Sequence, residues 1–527
     1  MIVDPIKEGL ARGWQHIDGA ALDAPLELEA DVVIVGTGAG GGTAAEILTQ
    51  AGLKVVMLEA GPLRSSSHFV MEERVAYPDL YQQSAAMKTR DGAIGMLQGR
   101  SVGGSTTVNW TTSIRTPVNT LNHWAQHHEI AGLSRAELDP WFERAEQRLN
   151  IHPWPVPPNR NNDVLAKGCE ALGWEYTVIR RNVKGCANLG YCGMGCPINA
   201  KQSMLVSTIP AALDGGATLL SRTEAWKLVQ QGDQVTALEC RTRDPNHQRR
   251  EVTVTVRARH YLLCGGALHS PALLLRSEVP NPYGLVGQRT FLHPSLLSVA
   301  DFEAPVSAHA GAPQSVYSDQ FVWPESGLGF KLEVAPLHPV LTATKVPGFG
   351  ATHADLMARF NHVQGTIALV RDGFSEESQG GVMTLDNQGD PVLDYPLNEA
   401  FWDAARRAHL AMAEAQFAAG AKRVLTVDDE LPWWSSWAEA KAGIANLRMA
   451  PRKTTVASAH IMGGCAMSDN PALGVVNSLG QHHQLTNLSV MDGSMLPTSL
   501  GANPQLTLYG IVGRNATLLA QRLTGRA

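Results

Sequence analysis

Residues 31–61 read DVVIVGTGAGGGTAAEILTQAGLKVVMLEAG. The apolar run Val32–Val35 has the composition of a parallel strand buried on both faces. Gly36, Gly38 and Gly41 follow in G-x-G-x-x-G spacing and open a helix-forming stretch, and a second apolar run, Val55–Leu58, ends at Glu59. Each position has a physical reason. Gly36 permits a tight turn, Gly38 lets a pyrophosphate approach the backbone, and Gly41 lets helix and strand pack closely, with the helix N-terminus facing the phosphate charge. Glu59, 18 residues beyond Gly41, stands where a carboxylate accepts hydrogen bonds from ribose hydroxyls. Strand, turn, helix, strand and acid together predict a dinucleotide site, without separating NAD from FAD.

The whole-chain totals narrow the class. A chain of 527 residues is large enough for two lobes, and 44% hydrophobic with 17% charged residues is an ordinary globular balance. Net charge is −6 with no basic block, so nucleic acid is not an expected partner. The opening MIVDPIKEGLARGWQHIDGA lacks an apolar signal-like run, and no stretch approaches the ~18 apolar residues of a membrane span. Seven cysteines, an odd number, read as free thiols in a reducing compartment. The expected location is cytoplasmic, with periplasmic export beside a partner subunit as the alternative.

A second glycine turn, GRSVGGSTTVN at 99–109, adds Gly103 and Gly104 with donors at Ser105, Thr106, Thr107 and Asn109. An NAD enzyme has no evident need of it, whereas a two-ended cofactor does. Five stretches in this order resemble the glucose–methanol–choline (GMC) oxidoreductases: VVIVGTGAGGGTAA…LEAGP, GRSVGGSTTVNW, GGALHSPALLLRS (265–277), SAHIMGGCAM (458–467) and NLSVMDGSMLPTSLGANPQLTLYGIVGRNA (487–516). The resemblance implies an α/β fold: a Rossmann-like FAD-binding domain from discontinuous segments (1–115, 200–290 and 452–527), a cysteine-bearing segment covering FAD (116–199), and an α+β substrate domain on an antiparallel sheet (291–451). It implies that Gly36, Gly38, Gly41 and Glu59 hold the adenosine diphosphate half. It places Arg100, Gly103, Gly104, Thr107, Asn109, Asp492, Gly493 and Pro504 among the cofactor-binding residues. Val108 stands where some relatives attach FAD through histidine, so FAD is expected to be non-covalent. Glu278 stands where the second family signature expects glycine.

Oxidising an alcohol removes a hydroxyl proton and a hydride, and a base at the hydroxyl speeds the step by about 10²–10⁴-fold. His460, before a glycine turn, and Asn503, before Pro504 at a helix start, match the family's catalytic positions. The resemblance implies His460 as the base and Asn503 as an amide holding the same oxygen. The expected reaction is FAD-dependent oxidation of an alcohol to aldehyde or ketone, with a dehydrogenase favoured over an oxidase. Alternatives are a long-chain or aryl alcohol oxidase using O2, or a non-catalytic electron-transfer or redox-sensing flavoprotein.

The stretch GCANLGYCGMGCPINAK (185–201) holds Cys186, Cys192 and Cys196. Zinc wants a fourth ligand that is absent here, and no C-x2-C dithiol is present. The terminal C-x3-C-P resembles the end of a ferredoxin run. Within the GMC family it resembles both the iron–sulfur dehydrogenases, whose three cysteines hold a three-iron four-sulfide cluster that feeds a cytochrome, and the long-chain alcohol oxidases. A cluster feeding a cytochrome or quinone, or small thiols in a loop over FAD, both stand as readings. Elsewhere, Ser134 and Glu137 predict a capped helix, 330–337 and 381–395 alternate like strands, and 400–420 has helical periodicity.

Overall fold

A computed structural model describes residues 3–526. The strand Leu26–Val35 alternates half-buried and exposed residues up to Ala30, then runs fully buried through Val32, Val33 and Ile34. The change marks where helices cover both faces of the sheet. The turn at Gly36 (φ +94°) leads into the helix Ala39–Gln50, and Gly52 (φ +87°) ends that helix before Val55–Leu58 pairs parallel to Leu26–Val35.

Five parallel strands lie in the order Gln15–Asp18, Thr218–Ser221, Val55–Leu58, Leu26–Val35 and Arg249–Leu263. The last strand has 15 residues and serves two partners on its outer edge. Its first half pairs antiparallel with Gln234–Arg243, and its end, Tyr261–Leu263, pairs parallel with Leu488–Val490. The C-terminal helix Gln505–Thr524 packs on Ala39–Gln50, bringing the two ends of the chain together over one core.

A second, largely antiparallel sheet runs Phe330–Val334, Val363–Val370, Ser295–Asp301, Arg423–Thr426, Trp433–Trp434, backed by the helix Glu399–Ala418. Two short strands also join this sheet. Val456–Ser458 pairs with Ser295–Leu296 and, in parallel, with Ile94–Met96. The segments 1–115 and 452–527 thus each reach the second sheet, at 94–96 and at 456–458. Residues 381–395 form a separate hairpin, Val382–Leu385 with Pro391–Asp394. Ser134 and Glu137 close a capping box on the helix Arg135–Arg148.

Candidate active site

One cavity of 560 Å³ runs between the two sheets, within the range of small-molecule sites (about 300–1,000 Å³). Gly36, Gly38 and Glu59 line it, and so do His460 and Asn503. Gly104, Asn109, Arg100, Asp492, Gly493 and Pro504 also line it.

The glycine turns are explained by what a side chain would meet. A Cβ on Gly36 would lie 2.4 Å from the Cys264 carbonyl oxygen, and one on Gly41 1.9 Å from the Gly36 carbonyl oxygen. Gly41 therefore serves helix–strand packing and does not line the cavity. A Cβ on Gly38 would have only the Gly104 Cα within 4 Å, at 3.9 Å, so Gly38 presents bare backbone to open space. Gly38 is also the N-cap of Ala39–Gln50 and supplies no side-chain cap, leaving the first N–H groups free for an anion.

Glu59 is buried. Its Oε2 accepts from Thr37 N (3.2 Å) and Thr37 Oγ1 (2.7 Å), and its Oε1 from Gly61 N (2.9 Å). Burial pushes its carboxyl up, against those hydrogen bonds. Thr37, absent from the sequence-based set, also accepts from Gly103 N (3.0 Å) and so joins both glycine turns to Glu59. Arg100 has no ion-pair partner among the described residues, its Nε is unpartnered, and burial draws it down to about 10. A bare helix N-terminus and an uncompensated guanidinium as donors, with a deep carboxylate as acceptor, are the groups a dinucleotide needs at its phosphates and ribose.

Gly103 and Thr107 do not line the cavity. Gly103 (φ +91°) makes room for Thr107 Oγ1, which donates to Val102 O (2.9 Å), so both shape the turn from behind. Asp492 faces the cavity with both oxygens engaged, one by Gly266 N (2.8 Å) and Ser270 Oγ (2.5 Å), the other by Ser494 N (2.7 Å) and Oγ (2.5 Å). It staples the late segment to the helix Gly266–Arg276. Asn109 is held by Gln505 Oε1 (2.7 Å), at the start of the C-terminal helix.

His460 follows Val456–Ser458 and is set by Ser458, whose Oγ donates to His460 O (3.0 Å). Burial draws its imidazole down to about 4. Its Nδ1 lies 2.9 Å from Nδ1 of His293. Asn503 Nδ2 approaches Glu333 Oε2 (3.4 Å), which also accepts from Gln314 Nε2 (2.6 Å). Sequence reasoning named neither His293 nor Glu333. Lys331 and Glu333 alternate in FKLEV as on a half-exposed strand, yet every residue of Phe330–Val334 is buried. A histidine before proline, as at His293–Pro294, carries no local signal of its partner.

The cysteine segment lies directly on the second glycine turn. Lys201, buried, donates from Nζ to the carbonyls of Thr107 (2.7 Å), Asn109 (2.8 Å) and Cys192 (2.6 Å), and Tyr81 OH donates to Gly193 O (2.7 Å). Arg181, fully buried, reaches Cys192 Sγ at 3.6 Å and stacks over Trp154. Cys186, Cys192 and Cys196 are half-buried and form no disulfide. Their sulfurs do not gather round a single ion: among the described residues only Asp428, Asp429 and Glu430 bring three ligand atoms within 4.8 Å of one another.

The GMC oxidoreductase family models match residues 77–295 with the N-terminal domain and 377–511 with the C-terminal domain. The chain belongs to the GMC oxidoreductase family. This GMC oxidoreductase is 30% identical over 501 residues to an uncharacterised GMC-type oxidoreductase of Sinorhizobium fredii, covering 94% of this chain and 96% of that one. It is 27% identical over 530 residues to a long-chain-alcohol oxidase of Arabidopsis thaliana, covering 94% of this chain and 69% of that one. The formate oxidase of Aspergillus oryzae superposes with a TM-score of 0.69 at 16% identity, covering 95% and 99% of the two chains. The chain is accordingly an oxidoreductase of this family, and no helix among its described residues is long and apolar enough to cross a membrane.

Proposed function

We propose that this GMC oxidoreductase oxidises an alcohol to an aldehyde or ketone. The observation that carries the reading is the continuity of one cavity from the dinucleotide turn at Gly36–Gly38 to the polar pair His460 and Asn503. FAD, held by the glycine turns, Arg100 and Glu59, supplies a two-electron acceptor for hydride. The chain's own polar groups hold the carbinol oxygen, and hydrogen bonds aimed at developing oxygen charge in a dry cavity are worth about 10²–10³ in rate each. The test is anaerobic bleaching of the flavin absorbance with a panel of alcohols. His460→Ala should stay yellow while losing most of the reduction rate, and an unchanged rate would refute the assignment.

A second element concerns the electrons. Arg181, with an unpartnered Nη1, and Lys201 are buried cations without ion-pair partners among the described residues, beside three thiols. Such charge suits thiolates carrying a cluster. We therefore propose Cys186, Cys192 and Cys196 as ligands of a three-iron four-sulfide centre, and a cytochrome or quinone as acceptor in place of oxygen. Iron and acid-labile sulfide assays with EPR on anaerobically purified protein test the first part. Comparing oxygen uptake with reduction of an artificial quinone tests the second.

A further inference from the structure

Beside the cofactor cavity lies a second, outer chamber of 720 Å³. Ser84, Asn246 and Gln248 line it, and Gln83, Arg100, Arg243 and Asp390 line both chambers. The two therefore share a wall. That wall stands beside Glu59: Thr223 N donates to Glu59 O (2.8 Å), and Arg243 N donates to the neighbouring Arg222 O (2.8 Å). Arg100 has no ion-pair partner among the described residues, so an anion arriving from outside meets an uncompensated guanidinium in the wall itself.

Gln83 belongs to a turn whose residue types give no reason for its backbone. Gln83 (φ +47°, ψ +37°), Ser84 (φ +54°, ψ +37°) and Ala85 (φ +64°) are three successive non-glycine residues in the left-handed region. There Cβ crowds the following carbonyl oxygen, a cost of about 5- to 30-fold in equilibrium for each residue, and side-chain-bearing residues visit the region singly. Ala86 N donates to Gln83 O (2.9 Å) and closes the turn on itself. The chain is pinned on either side. Gln82 N donates to Gln98 O (2.9 Å) and Gln82 Oε1 lies 2.8 Å from His269 Nε2, while Met96 N donates to Met87 O (2.8 Å). Between those pins Gln83 and Ser84 are exposed, and only Ala85 is buried. Strain kept where so little packs against it marks a segment with a second arrangement.

We propose that Gln83–Ala85 is a gate in the shared wall, and that FAD enters and leaves the cavity through the outer chamber. Right-handed or extended backbone at the three residues relieves the crowding and moves Gln83 off the cavity wall, with Gln82 and Met87 as hinges. The pyrophosphate passes Arg100 on its way in. Bound cofactor favours the closed turn, so the strain of closure works against retention and sets how fast the cofactor leaves.

Ser84 lines only the outer chamber, which keeps its substitution clear of the cofactor. Glycine removes the crowding of the closed turn, so Ser84→Gly should release FAD about 2- to 5-fold more slowly. Ser84→Val, β-branched and poorly suited to positive φ, should release it faster. Release is read from the flavin fluorescence that appears on diluting the holoprotein, with thermal melts of each apo form alongside. A turn that is strained but does not move would shift the melts and leave release equal in wild type and both variants, and that result overturns the gate. Asn246→Trp tests the route, because it adds bulk to the outer chamber at an exposed residue that does not line the cavity. It should slow FAD uptake by the deflavinated protein and release from the holoprotein by the same factor, leaving the dissociation constant unchanged. Uptake and release at the wild-type rates would overturn the route. The inference rests on FAD as the occupant of the cavity and is independent of the alcohol oxidised. Wild-type protein that takes up no FAD overturns it together with the cofactor reading, whereas a failed search for an alcohol bears on the proposed reaction alone.

Discussion

Replacing Gly38 with alanine adds one methyl group at a place where the protein has nothing to clash with it. The backbone there (φ −69°, ψ −159°) suits any residue, and the nearest heavy atom to the new carbon is the Gly104 Cα at 3.9 Å. Stiffening the unfolded chain adds about 0.4–1 kcal/mol to stability. Losing glycine for alanine at an N-cap removes a comparable fraction. The apo protein should therefore change by less than about 1 kcal/mol. The methyl, however, fills the face the cofactor must approach. A phosphate oxygen at about 2.8 Å from the turn's N–H groups cannot coexist with it. Each charge-assisted hydrogen bond lost costs about 1.5–3 kcal/mol, or roughly 10- to 100-fold in affinity. Gly41→Ala should fail in the opposite sense, because its Cβ would lie 1.9 Å from the Gly36 carbonyl oxygen and overpacking costs about 1–3 kcal/mol or more. The assay is FAD titration of the deflavinated protein by fluorescence, alongside thermal melts of each apo form. A Gly38→Ala protein that binds FAD as tightly as wild type would refute the reasoning.

Two further substitutions probe the scaffold. His409 is fully buried with neither ring nitrogen partnered, and burial draws it down to about 3, so the fold holds it neutral. The unfolded chain binds its proton below about pH 6.5, so stability falls as pH drops, by about 1.4 kcal/mol per unit. His409→Leu should consequently gain about 2 kcal/mol more at pH 5 than at pH 7.5 in denaturant titrations, and an equal gain at both would refute this. Asp492→Ala strands the donors of Gly266, Ser270 and Ser494 and should destabilise by about 3–5 kcal/mol, measured the same way; a loss under 1 kcal/mol would show that the staple is dispensable.

The dinucleotide turn was readable because its logic is local: strand, three glycines, helix and Glu59 fall within about thirty residues. His460 and Asn503 were likewise marked by their flanking glycine and proline. Glu333 was not, since FKLEV alternates like a solvent-facing strand, and only packing between the two sheets buries Lys331 and Glu333. His293 acquires its meaning from the backbone N–H groups of Leu500 and Gly501, far along the chain. The Thr107–Val102 hydrogen bond behind Gly103 is likewise a contact that the glycine motif alone does not display.

The double pairing of the strand Arg249–Leu263 has a temporal consequence. Its inner end stays an open edge until Leu488–Val490 arrives, and the helix Ala39–Gln50 lacks its cover until Gln505–Thr524 is made. On a ribosome, where domains form from the N-terminus onward, the segment bearing Gly36 and Glu59 emerges long before the strand and helix that close its cleft. Closure of the cleft thus waits for residues 488–524, and a nascent chain stalled before residue 488 would expose an unpaired strand edge at its own cofactor cleft.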